Sequence, residues 1–169
     1  MRPQRIEPGP GQESVWDFPR PPRVEPVAEE LGVVVVDEHG IEHVVARTTR
    51  GLRVVETSQA PAYYLPIDDV DAALIRPSRT RTFCEWKGQA SYVDVVVGGR
   101  EVRDAAWTYP SPTPAFAAIA GYLAFYAARV DRCWVGDDVV SPNDGDFYGG
   151  WITPRVVGPF KGGAGTLGW

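Results

Sequence analysis

The thiol of Cys84 and the amine of Lys87 are the side chains of this chain best suited to covalent or acid–base chemistry, and they lie three residues apart in Thr82-Phe83-Cys84-Glu85-Trp86-Lys87-Gly88. On a straight strand, residues three apart face opposite sides. Gly88 is a natural place for a β-bulge, and such a bend would aim both side chains at one cavity. A neighbouring ammonium favours a thiolate, and burial makes a lysine amine a better neutral base, so the two can serve as nucleophile and base. The same residues also fit a buried structural cysteine beside a lysine that pairs with Glu56 or Glu85. Glu56 is the third candidate catalytic residue. Tyr64, Gln89, Ser91, Tyr92, Trp107 and Tyr109 are the candidates for lining a pocket, because aromatic walls around one amine suit a small anionic or carbonyl-bearing molecule.

Two further motifs lose their chemistry in context. His39-Gly40-Ile41-Glu42-His43 has the letters of a His-x-x-Glu-His zinc motif, but that motif needs a helix to bring both imidazoles to one face. Here it starts in a glycine turn and runs into Val44 and Val45, so no metal is expected. Residues 160–166, Phe-Lys-Gly-Gly-Ala-Gly-Thr, have the composition of a phosphate cradle without the preceding strand and following helix that build one. No cofactor is expected.

The elements that must position these residues are mainly strands. Residues 33–36 and 41–46 are β-branched runs joined by Asp37-Glu38-His39-Gly40, which predicts a hairpin. Residues 52–56 and 62–65 predict a third and a fourth strand, the latter bounded by Pro61 and Pro66. Asp68-Asp69-Val70-Asp71 before Ala72, Ala73 and Leu74 predicts a short capped helix that Arg76-Pro77 ends, and residues 114–120 predict another helical turn or two. Residues 121–126 and 131–140 fit a helix or a final strand pair, and the strand pair is the reading adopted.

A second hairpin, over residues 80–110, is sharper. The Gly98-Gly99 turn supplies the positive φ angles of a two-residue connection and sets Val97 opposite Arg100, Val95 opposite Val102 and Asp94 opposite Arg103. Val93, Val95, Val97 and Val102 then share the core face, with Asp94, Glu101 and Arg103 on the other. Farther from the turn the core face carries Gln89, Ser91, Asp104 and Thr108. Inward polar groups are costly unless bonded or wetted, which reads either as a pocket at a barrel mouth or as a satisfied polar cluster.

The expected organisation is a Pro-rich extended arm over residues 1–26, pinned by Trp16 and Phe18, a β-barrel domain over 27–140, and a Gly-rich tail over 141–169 anchored by aromatic residues. Apolar residues make up 44% of the 169, enough for a core in one domain. A formal charge of −5 with 17 scattered basic residues speaks against nucleic acid as a partner. Neither a membrane-spanning run nor a signal-peptide core is read from the sequence, so a cytoplasmic protein with Cys84 and Cys133 as free thiols is expected.

The chain resembles the bacterial family called domain of unknown function 427. The likeness rests on residues 13–24, Glu-Ser-Val-Trp-Asp-Phe-Pro-Arg-Pro-Pro-Arg-Val, and on Glu56-Thr57 with Tyr63-Tyr64-Leu65-Pro66. It continues through Thr82-x-Cys84-x-x-Lys87-Gly88-x-Ala90-x-Tyr92, Ala106-Trp107-x-Tyr109-Pro110 and Gly121-Tyr122-x-Ala124-Phe125-Tyr126. The resemblance implies a compact antiparallel β-barrel of the β-tent kind and a strand at residues 121–126. It implies no established activity. Many members carry Cys-Pro-Tyr or a similar triplet where this chain has Cys84-Glu85-Trp86, and the paired Cys-x-x-Cys zinc motifs of other β-tent families are absent. A nucleotidyltransferase label attached to the family has no counterpart here, since no acidic metal-binding pair follows a Gly-Ser strand.

Three functional classes follow. The first is a small-molecule-binding barrel, and the second an enzyme using Cys84 as nucleophile or Lys87 as general base. The third is an interaction module, a homo-oligomer held through Trp16, Trp151 and Trp169.

Overall fold

The structure, a computed structural model, describes residues 2–169. Its strands are β1 (Glu13–Ser14), β2 (Arg23–Pro26), β3 (Leu31–Val36), β4 (Glu42–Thr48), β5 (Leu52–Val55), β6 (Ala62–Pro66), β7 (Ile75–Cys84), β8 (Gly88–Val97) and β9 (Arg100–Thr108), followed by β10 (Tyr122–Phe125), β11 (Arg132–Val135), β12 (Asp138–Val139), β13 (Ser141–Pro142), β14 (Trp151–Ile152) and β15 (Val156–Val157). The fold is mainly β, and its helical pieces are 3-10 turns. Residues 68–74, predicted as one capped helix, form two such turns, Ile67–Asp69 and Ala72–Leu74, the second capped by Asp71, whose side chain accepts from the Ala73 N–H.

One antiparallel sheet runs in the order β2-β5-β6-β10-β9-β8-β7, and a second runs β12-β11-β3-β4. The large sheet has two free ends, so the ladder does not close into a barrel. Each end strand contains a proline, Pro26 in β2 and Pro77 in β7, and proline removes an N–H that closure would use. Instead the sheets pack face to face. Leu31, Val33, Val35 and Val45 of the small sheet meet Tyr63, Leu65, Val95, Val97, Ala106, Leu123 and Phe125 of the large one in a single buried core. The β3 strand is buried on both faces: Gly32 lies beneath the indole of Trp134, where a Cβ would come within 1.9 Å of the ring.

The strands predicted at residues 121–126 and 131–140 are present but are not partners. The β10 strand joins β6 and β9 in the large sheet, whereas β11 joins β3 and β12 in the small one. The turn between them, held by the Arg129 N–H to the Tyr126 carbonyl, carries the chain from one layer to the other. The tips of the two hairpins also touch, because Glu38 accepts from the Gly99 N–H at 2.8 Å.

The 80–110 hairpin keeps the predicted register next to its turn, with Val97 opposite Arg100 and Val95 opposite Val102. Asp94 is not opposite Arg103. The register shifts between Val93 and Val95, and Val93 pairs with Ala106. The cause is a knot of polar contacts. Asp104 stands at φ 48°, its N–H donates to the Asp94 carboxylate at 2.8 Å, and its own carboxylate accepts from Ser78 and Thr80 hydroxyls at 2.6 and 2.7 Å. A matching irregularity interrupts β7 between Pro77 and Arg81, so the two strands that flank β8 bulge at neighbouring positions while β8 itself stays regular.

The arm and the tail lie on each other and on the body. The β1 and β15 strands pair in parallel, Val15 and Phe18 pack with Val55 and Val156, and Trp16 Nε1–H donates to the Pro159 carbonyl. Trp151 is 1% exposed in the main core, stacks on Tyr63 at 5.3 Å and donates to the Phe125 carbonyl at 2.8 Å. It therefore presents no surface for self-association. No helix among the described residues is long and apolar enough to cross a membrane.

Candidate functional site

The outer face of the large sheet, turned away from the small sheet, carries a second apolar layer. Strand alternation puts Cys84, Ala90, Tyr92 and Trp107 on this face, and Val54, Tyr64, Tyr109, Ala124 and Tyr126 complete it. The layer is roofed by Phe116 and Ile119 of the 3-10 segment Pro114–Ile119. Trp107 Nε1–H donates to the Tyr64 hydroxyl at 3.2 Å, and the two rings meet edge to face at 6.3 Å, an arrangement that contributes about 0.5–1.5 kcal/mol beyond area burial. Burial pushes the Tyr64 hydroxyl well above the usual phenol range. It does the same to Tyr109, where Tyr64 and Cys84 add to the effect, and to Tyr126.

Cys84 and Lys87 meet at the edge of this layer. Cys84 pairs across the ladder with Gly88, so residues 85–87 form the reversal between β7 and β8. The predicted bend is thus a turn, and Gly88, at φ +101°, takes the left-handed conformation that ends it. Lys87 Nζ lies 3.8 Å from Cys84 Sγ, 5.7 Å from the centre of the Tyr109 ring and 5.9 Å from that of Phe116. Two hydrogen bonds from Thr113 lock the turn under the roof, its N–H to the Lys87 carbonyl at 3.1 Å and its hydroxyl to the Trp86 carbonyl at 2.5 Å.

The ammonium has no ionic partner. Among the described residues Lys87 has no carboxylate within 4.0 Å, and Glu56 instead pairs with Arg20 of the arm at 3.4 Å. The arrangement is a half-buried cation beside a thiol, both facing aromatic rings. Chemically it can hold an anion, and it can orient an electrophile toward sulfur.

Of the residues predicted for the site, the structure gathers Cys84, Lys87, Tyr64, Tyr92, Trp107 and Tyr109 on one face. Gln89 and Ser91 lie on the other, with Phe83 and Arg81, their ladder partners. That face was predicted to be a wet barrel mouth. It is open sheet, because Gln89 and Phe83 are exposed where the small sheet no longer covers them, and Thr108 is satisfied by the Tyr122 carbonyl at 2.7 Å. The sequence reading missed the roof: Thr113 and Phe116 lie in a stretch that holds Pro110, Pro112 and Pro114, whose alternate spacing marks an extended strap able to lie across a sheet.

The two rejected motifs have structural places. His39 sits in the exposed turn near Glu38, and His43 bonds to the Asp37 carboxylate at 2.8 Å. In the 160–166 segment the Gly162 N–H donates to the Thr166 hydroxyl and the Thr166 N–H to the Gly163 carbonyl, so those donors are spent within the segment.

No curated protein matches the chain. The model of the family described as Domain of unknown function (DUF427) matches residues 23–136, a span that holds both sheets' main strands and the Cys84–Lys87 turn. That span is well over half of the chain, and the protein belongs to this family.

Proposed function

We propose that the protein binds a small anionic or carbonyl-bearing molecule at the Cys84–Lys87 turn, with Tyr109 and Phe116 as the aromatic walls. The observation that carries the reading is the unpaired ammonium of Lys87. Cation–π contacts near 6 Å give this half-buried cation only about 0.5–1 kcal/mol each, and with no carboxylate near, it still lacks a counter-charge. An anionic ligand supplies it. Two free thiols suit a reducing, cytoplasmic setting.

The reading is tested on Cys84 itself. An anion site favours iodoacetate over neutral iodoacetamide, and inorganic phosphate or pyruvate protects the thiol from both. Lys87→Met lowers the iodoacetate-to-iodoacetamide rate ratio about fivefold, the effect of one partly screened charge worth about 1 kcal/mol. An unchanged ratio in Lys87→Met, with no protection by either anion, would refute it.

The second reading, an enzyme, is favoured by one distance, the 3.8 Å between Nζ and Sγ. Cys84 would attack an electrophilic carbon while Lys87 neutralises the charge that develops, or Lys87 would act as a base on a bound carbonyl compound. Pyruvate deuterated at its methyl group separates the two: loss of the label to water that disappears in Lys87→Met supports a base at the amine, and reversible protection alone supports binding.

A further inference from the structure

Ion pairing in this protein is unevenly distributed. Most arginines hold a carboxylate, including Arg20, Arg23, Arg47, Arg50, Arg53, Arg100, Arg132 and Arg155. Among the described residues Arg76, Arg79 and Arg81 hold none, and all three are exposed on β7. A chain with a formal charge of −5 thus gathers three arginines outside any ion pair on one strand, although Asp94 lies across the ladder from Arg76 and Asp104 accepts from Ser78 and Thr80.

That strand is the end of the large sheet. It pairs only with β8, so its outer edge has no strand beside it. The bulged part of β7 is internally satisfied: Arg81 donates to the Ser78 and Thr80 carbonyls at 2.8 Å, and the Thr80 N–H donates to the Ser78 hydroxyl. From Arg81 to Cys84 the strand is regular, and there Phe83 leaves 76% of its surface in water. Proline and arginine on an edge also discourage unwanted sheet pairing, but an exposed phenylalanine at the regular end does the opposite.

From this edge we infer an interaction surface for an acidic, extended peptide segment of a partner protein, which adds as a strand beside Arg81–Cys84. Main-chain hydrogen bonds set its register, its carboxylates meet Arg76, Arg79 and Arg81, and an apolar side chain covers Phe83. A second copy of β7 is disfavoured because it would set arginines against arginines. A nucleic acid's phosphates cannot donate to the free carbonyls of the edge and would meet exposed Glu85 next to Phe83. The inference is independent of ligand binding at Lys87.

The test uses the full chain and a fluorescein-labelled ten-residue peptide, Thr-Val-Thr-Glu-Thr-Glu-Thr-Glu-Thr-Glu, whose valine and glutamates share one face as Phe83 and Arg81 do, with binding read by fluorescence anisotropy. Strand addition predicts saturable binding that weakens as salt rises. The double variant Arg79→Glu/Arg81→Glu, checked for unchanged far-UV circular dichroism, weakens it roughly tenfold, as expected for two exposed charge pairs turned repulsive. Phe83→Ser weakens it independently of salt. The same peptide N-methylated at alternate residues keeps its charge, cannot form the ladder, and does not bind. Equal binding of the methylated peptide, indifference to both variants, or tighter binding of a single-stranded oligonucleotide of equal charge would each overturn the inference.

Discussion

Replacing Trp151 measures how far the glycine-rich tail is part of the core. The indole is 1% exposed, stacks on Tyr63 at an interplanar angle of 26° and donates to the Phe125 carbonyl of β10. Trp151→Phe keeps an aromatic ring and loses the hydrogen bond and part of the volume, a loss of about 1–2 kcal/mol. Trp151→Ala opens a cavity between the two sheets and costs about 3–5 kcal/mol. For a chain of this length each 1 kcal/mol lowers Tm by about 2–4 °C, so the alanine variant melts about 6–20 °C below the parent. Urea unfolding followed by tryptophan-independent far-UV circular dichroism gives both values. A chain ending at Val140 loses Trp151 and also Val156 and Phe160, which pack with Val15, Phe18 and Val55, and shows no cooperative transition. A loss below about 1 kcal/mol for Trp151→Ala, or cooperative folding of the shortened chain, would refute the view that the tail completes the core.

Two further outcomes follow from burial and charge. Native protein titrated with a chromogenic disulfide exposes one thiol, Cys84, and a second, Cys133, only after unfolding, because Cys133 is 2% exposed and burial raises its thiol well above the usual range; two reactive thiols in the native state would contradict this. The Asp37 carboxyl is lowered to about 2, first by its hydrogen bond with His43 and then by the Ile41 N–H. A depressed carboxyl stabilises the fold above its unfolded value near 4, and that stability is lost as pH falls from about 4 through about 2. Thermal melts in that window fall more steeply for the parent than for Asp37→Asn, and parallel slopes would show that the turn contributes nothing.

Much of the local structure was legible in the order of residues. The valine runs of β3 and β4 and the Gly98-Gly99 turn each follow from side-chain alternation and from the backbone angles that turns require, and both are properties of a few neighbouring residues. Gly88 marked a bend near Cys84 and Lys87, but the sequence pointed to a bulge, and it is the pairing of β7 with β8 that makes a tight reversal there and brings the two ends of a three-residue separation together. What alternation leaves open is the cover. Gln89 and Ser91 share a face with Val93 and Val95, but the small sheet covers the valines and stops before the polar pair, so one continuous face is core at one end and open at the other. The joint bulge at Asp104 depends on hydroxyls from a strand more than 20 residues away in sequence. Trp151 became core, rather than a surface anchor, only because β6 and β10 present Tyr63 and the Phe125 carbonyl to it. Sequence therefore determined which residues alternate, turn and pair nearby. Tertiary structure decided which face each sheet buries, because burial depends on what arrives from elsewhere in the chain, and no local pattern records that.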